Sequence, residues 1–112
     1  MIDKYSFGAI TIDGTSYQSD VIIYPGHVDD KWWRKEGHLL HIEDIEAAFS
    51  YEPEVIIVGT GHDGIMKVAP DVEGILKNRK IQLIVKKTAN ACNIYNELSK
   101  NKKVVATLHL TC

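Results

Sequence analysis

The stretch Val55-Ile56-Ile57-Val58-Gly59-Thr60-Gly61-His62-Asp63-Gly64 constrains the fold more than any other. Four β-branched apolar residues run without alternation, the signature of a strand buried on both faces. The run breaks into glycines that fit G-x-G-x-x-G letter for letter. The dinucleotide fingerprint also asks for a helix opening inside the motif and an acidic residue about 20 positions on. Ile65 to Pro70 makes a poor first helical turn, and Lys86-Lys87 stand where the carboxylate belongs. The motif therefore reads as a tight turn leaving a buried strand. Such a turn still leaves backbone N–H groups open to a ligand.

At 112 residues the chain fits one domain, 1–112, with a real but modest core. A net charge of −2 argues against a general nucleic-acid binder, which carries a basic surplus. No apolar run approaches the roughly 18 residues of a membrane span, and no secretory h-region follows the first charges. Two cysteines, Cys92 and Cys112, do not make a disulfide framework. The expectation is a cytoplasmic protein, monomeric or homodimeric.

Phe7 to Ile12, Asp13-Gly14 and Thr15 to Tyr17 read as a hairpin closed by a type I′ turn. Its register pairs Ile10 with Tyr17 and Thr11 with Ser16. Val21 to Tyr24 is a further strand, stopped by Pro25-Gly26. His27 to His38 shows no period and reads as a loop. Its Lys31-Trp32-Trp33-Arg34-Lys35 offers bases a stacking surface, but tryptophans closing the core are the plainer explanation. Ile42 to Tyr51 has helical spacing. A short helix runs from Pro70 to about Asn78, and Ile81 to Val85 is another unalternated strand. Thr88 is the expected N-cap of a third helix. Val104 to Leu110 is a strand that puts Val104, Ala106, Leu108 and Leu110 on one face and Val105, Thr107, His109 and Thr111 on the other.

Strand, helix, strand, helix, strand implies two crossovers and a parallel core. The fold class is α/β or α+β: an N-terminal antiparallel hairpin and strand plus a parallel β-α-β-α-β core. Ligands of open parallel sheets gather at the carboxyl ends of the strands. Those ends bring together Gly59, Thr60 and Gly61, then Lys86, Lys87 and Thr88, then His109 and Thr111. With His62 they form a candidate rim for a small anion: turn amides, two ammonium groups and a helix N-terminus. The competing reading is a pair of solvated strand-end lysines.

Three weaker candidates remain. His38-Leu39-Leu40-His41 offers two imidazoles but lacks the Glu of H-E-x-x-H, so no metal site is expected. Cys92 reads as a buried inert thiol. Cys112 with His109 suggests a nucleophile pair, against the simpler reading of a frayed tail.

The order of Trp33-Arg34, Gly37-His38, Val58-Gly59-Thr60-Gly61, Lys67-Val68 before a proline helix, Thr88, Tyr95-Asn96-x-Leu98 and His109-x-Thr111-Cys112 resembles a known family. It is the small single-domain family that includes the animal adipogenesis-associated domain protein. More distant relatives include a mitochondrial complex I assembly factor and uncharacterised bacterial and archaeal proteins. Bacterial members often carry an acidic residue and Met-Asp before the threonine, where this chain has Lys86-Lys87. The resemblance implies a compact mixed fold, no established catalytic residue, no cofactor, and action through protein partners. The first expectation is thus a non-enzymatic, cytoplasmic protein-binding or assembly-type module. The alternative is a small-molecule or anion-binding protein, an enzyme among the options, using the strand-end rim.

Overall fold

The computed structural model describes residues 1–112. Three N-terminal strands, β1 (Ile2–Ser6), β2 (Ala9–Ile12) and β3 (Thr15–Tyr17), form an antiparallel sheet in the order β1-β2-β3. Asp13 and Gly14 hold φ of 48° and 82°, so both central residues of the turn have the positive φ that type I′ requires. The ladder pairs Ile10 with Tyr17 and Thr11 with Ser16, as expected. Phe7 does not begin the hairpin: Phe7-Gly8 turns between β1 and β2, and Gly8 takes φ 77°.

The main sheet contains β4 (Val21–Tyr24), β5 (His27–Asp29), β7 (Val55–Thr60), β9 (Gln82–Lys86) and β10 (Val104–His109), in the order β5-β4-β10-β7-β9. Strand β10 runs parallel to β7, and β7 parallel to β9, so the predicted parallel core is present. Strand β4 joins it antiparallel. The region 27–38 is not all loop, because His27–Asp29 pairs along β4 as the sheet's edge. Two short strands, β6 (Leu39–Leu40) and β8 (Lys67–Val68), pair in parallel beside it.

Both faces of the sheet are covered, which is why β7 shows no alternation: all its residues are buried. One face, with Ile22, Ile56, Val58 and Val105, packs on a 3-10 helix (Ile42–Tyr51) and on α1 (Pro70–Asn78). The other, with Ile23, Ile57, Ala106 and Leu108, packs on the N-terminal sheet and on α2 (Thr88–Leu98). Leu110 and Val104 share that second cluster, so the expected parity of β10 holds.

Some expectations are corrected. Ile42–Tyr51 winds as 3-10 rather than α. The Asp44 carbonyl in its first turn also accepts the indole N–H of Trp32 at 2.9 Å. Strand β9 reads as fully buried but is an edge, and Val85 is 40% exposed. Thr88 does not cap α2 with its side chain: Lys87 is the cap residue, and Thr88 is wholly buried in the first turn.

Candidate functional site

The carboxyl ends of β7, β9 and β10 do meet, and Thr88 joins them. Its hydroxyl donates to the His109 carbonyl at 2.6 Å and accepts the Gly61 N–H at 2.9 Å. The Thr88 N–H returns to the Gly61 carbonyl at 3.1 Å. Glycine is required at 59 for this closeness: a Cβ there would stand 2.9 Å from both Thr88 Oγ1 and Leu108 Cδ2. The Thr60 hydroxyl donates to the Lys86 carbonyl at 3.2 Å, tying β7 to β9.

The turn amides are largely engaged by the segment that follows β10. The His62 N–H donates to the Thr111 carbonyl at 2.6 Å, and the Ile65 N–H to that of Cys112 at 3.0 Å. The Leu110 carbonyl accepts from the Gly8 N–H and the Tyr5 hydroxyl, each at 2.9 Å. Residues 110–112 thus lie as an extended strap between the N-terminal sheet and the glycine turn. Cys112 is exposed, yet its carbonyl is bonded, so the segment is not the frayed tail that the sequence suggests. Around the strap sit Phe7, 55% exposed, and Ile65, 47% exposed. The His62 ring meets Phe7 edge-on at 5.6 Å. Lys86 and Lys87 are exposed, and the Lys87 stem runs beside Gly64.

The His109 side chain turns to the other side of its strand, into a cluster that sequence reading missed. Its Nδ1–H donates to Asp20 Oδ2 at 2.7 Å, since a carboxylate oxygen can only accept. Arg34 Nη1 donates to the same oxygen at 2.8 Å, and Arg34 Nη2 lies 3.1 Å from His109 Nδ1. The other Asp20 oxygen accepts the Leu110 N–H at 2.8 Å. Burial alone would push the Asp20 carboxyl up. Hydrogen bonds from His109, Leu110 and Arg34 outweigh that and hold it below its ordinary value. Asp20 stood in the sequence only as the residue before an apolar strand, and Arg34 only as a neighbour of the tryptophans.

The remaining candidates separate. Trp32 enters the core with the Arg34 guanidinium 4.6 Å above its ring, while Trp33 is 76% exposed. His38 meets the His109 ring at 5.7 Å, but His41 turns to Glu36 at 2.6 Å, so the two imidazoles of 38–41 do not converge. His109 Nδ1 is held by a carboxylate rather than by a thiol. Burial pushes the Cys92 thiol up to about 12, which keeps it protonated and inert.

A central mixed sheet covered by two helices on one face and by a small sheet plus a helix on the other defines a compact α/β domain. The chain belongs to the family described as "Protein of unknown function (DUF498/DUF598)", which matches residues 2–109. A conserved hypothetical protein from Pyrococcus horikoshii OT3 is similar to it along 100% of this chain and 99% of that one, with 28% identity and a TM-score of 0.86. A protein called MT938 shows 29% identity and a TM-score of 0.83, covering 100% of this chain and 98% of its own. A Bartonella henselae protein described as an outer membrane protein shares the fold at 23% identity and a TM-score of 0.82, over 99% and 94% of the two chains.

Proposed function

We propose that this domain is a non-enzymatic, cytoplasmic binding module that docks a protein partner on the carboxyl-end face of its sheet. The observation that carries this reading is the strap. The amides of His62 and Ile65, which would cradle a small ligand, are bonded to Thr111 and Cys112. What remains open there is side-chain surface: Phe7, Ile65 and the Lys87 stem. Exposed apolar side chains rimmed by charge suit a protein interface better than a small-molecule pocket. The resemblance to the adipogenesis-associated branch, carried by His109-x-Thr111-Cys112, supports the same reading, since its relatives act through partners.

The test pairs Phe7→Glu and Ile65→Glu in one variant, both at exposed positions. A partner retained by the wild type, purified and rebound, is expected to lose at least about tenfold in affinity, the effect of about 1.4 kcal/mol. Equal affinity for both proteins would refute the docking face.

A second reading rests on Lys86 and Lys87, two exposed ammonium groups beside the first turn of α2. Here the rim binds phosphate or a carboxylate weakly. In a phosphate titration followed by amide shifts, saturable changes at Gly59–Gly64 and Lys87–Ala89 support it. Lys86→Glu is then expected to weaken binding more than Lys100→Glu, because Lys100 lies beyond the far end of α2.

A further inference from the structure

A cleft of about 240 Å³ separates strand β1 from helix α2. Asp3, Lys4 and Tyr5 line one side, and Cys92, Asn93 and Asn96 the other. Strand β1 is an outer strand whose one sheet neighbour is β2. Its open edge faces the helix. An outer edge presents main-chain donors and acceptors that another strand would satisfy.

At one point on this edge the helix already does so. The Ile2 N–H donates to Asn96 Oδ1 at 2.8 Å, and Asn96 Nδ2 donates back to the Ile2 carbonyl at 2.8 Å. A carboxamide is chemically a peptide group, so Asn96 stands where the backbone of a neighbouring strand would stand. Asn93 lies on the same helical face, almost one turn nearer the start of α2. It lines the cleft and is exposed. The cleft therefore runs along the helical face that carries both Asn93 and Asn96.

We propose that this cleft binds an extended peptide segment bearing an acidic residue, which adds to the outer edge of β1 and is held from the helix side by Asn93. The volume supports this class of ligand. It lies below the roughly 300–1,000 Å³ of pockets that enclose drug-sized molecules, and suits a short length of extended chain. Main-chain pairing supplies affinity in such strand addition. Two charged groups line the cleft. The Asp3 carboxylate accepts the Gly14 N–H at 2.9 Å, whereas the exposed Lys4 ammonium is free to meet a carboxylate. The Cys92 thiol is a buried, protonated floor and offers no covalent chemistry.

The experiment is an amide-shift titration with two acetylated, amidated hexapeptides, one alternating valine with glutamate and one alternating valine with lysine. The acidic peptide is expected to give saturable shifts at Asp3–Tyr5 and Ala89–Asn96. Asn93→Ala is expected to weaken it about fivefold, the worth of one hydrogen bond. Lys4→Glu is expected to reverse the preference toward the basic peptide. Asn93 and Lys4 are exposed, so both variants keep the fold. No saturable shift with either peptide at millimolar concentration overturns the proposal, as does an Asn93→Ala variant that binds equally well. The site stands independently of the carboxyl-end face: shifts confined to Phe7, His62 and Ile65 would support docking there and overturn peptide addition at β1.

Discussion

The hydroxyl of Thr88 donates to the carbonyl of His109 at 2.6 Å, and so joins the first turn of α2 to the end of β10. The same oxygen accepts the Gly61 N–H. One wholly buried side chain thereby satisfies two main-chain groups, one at the end of β10 and one in the turn that follows β7.

Thr88→Val keeps the shape and removes the hydroxyl. It leaves the Gly61 N–H and the His109 carbonyl without partners in a buried site. Each such group costs about 1–3 kcal/mol, so a loss of about 2–6 kcal/mol is expected for the two. Thr88→Ser is expected to retain most of the stability. Urea denaturation of the two variants checks the difference.

Asp20 links stability to pH. Its carboxyl is held below the ordinary value of 3.8, so the folded protein favours the ionised form. That stabilisation is complete above the unfolded value and is lost as pH falls through it toward the folded one. Asp20→Asn leaves Arg34 without its carboxylate and is expected to cost about 3 kcal/mol at pH 7. The gap between variant and wild type is expected to shrink as pH falls below the ordinary carboxyl value, where the unfolded wild-type chain takes up the proton that the folded one still resists. Melting temperatures measured from pH 7 to pH 3 check it.

Gly61 holds φ at 106°, and a Cβ there would stand 2.5 Å from the Cys112 carbonyl carbon. Gly61→Ala is expected to push the strap off the turn. Hydrogen exchange reads this directly, as faster exchange at the His62 and Ile65 amides with little change at Ile57.

Ile57 is completely buried in the cluster against α2 and the N-terminal sheet. Ile57→Ala is expected to cost roughly 2–5 kcal/mol. A loss under about 1 kcal/mol by chemical denaturation would contradict a strand covered on both faces.

Features written in neighbouring residues were legible in the sequence. Asp13-Gly14 specified its turn, Val55 to Val58 declared a doubly covered strand, and alternation along Val104 to Leu110 sorted its two faces. The rule of parallel crossovers then brought Gly61, Thr88 and His109 to one end. The Asp20, Arg34 and His109 cluster was not legible. Its bonds join residues 75 and 89 positions apart, and no local period records such a pairing. The strap was hidden for another reason: it works through the carbonyls of residues 110–112, which every residue type possesses. The 3-10 winding of 42–51 was equally concealed, since 3-10 and α-helices share nearly the same apolar spacing over so short a run.

Strand β10 lies at the middle of the main sheet, with β4 on one side and β7 on the other, yet it follows every other strand in the chain. During synthesis, β4–β5 and β7–β9 are made as two separate pairs, each with an unpaired inner edge. Neither can find its proper neighbour until more than nine-tenths of these 112 residues has left the ribosome. Folding by long-range pairing is slow and leaves edges open to other chains. A nascent chain stalled before Val104 therefore carries two exposed β-edges at once, and the vulnerable period in the life of this domain is its synthesis.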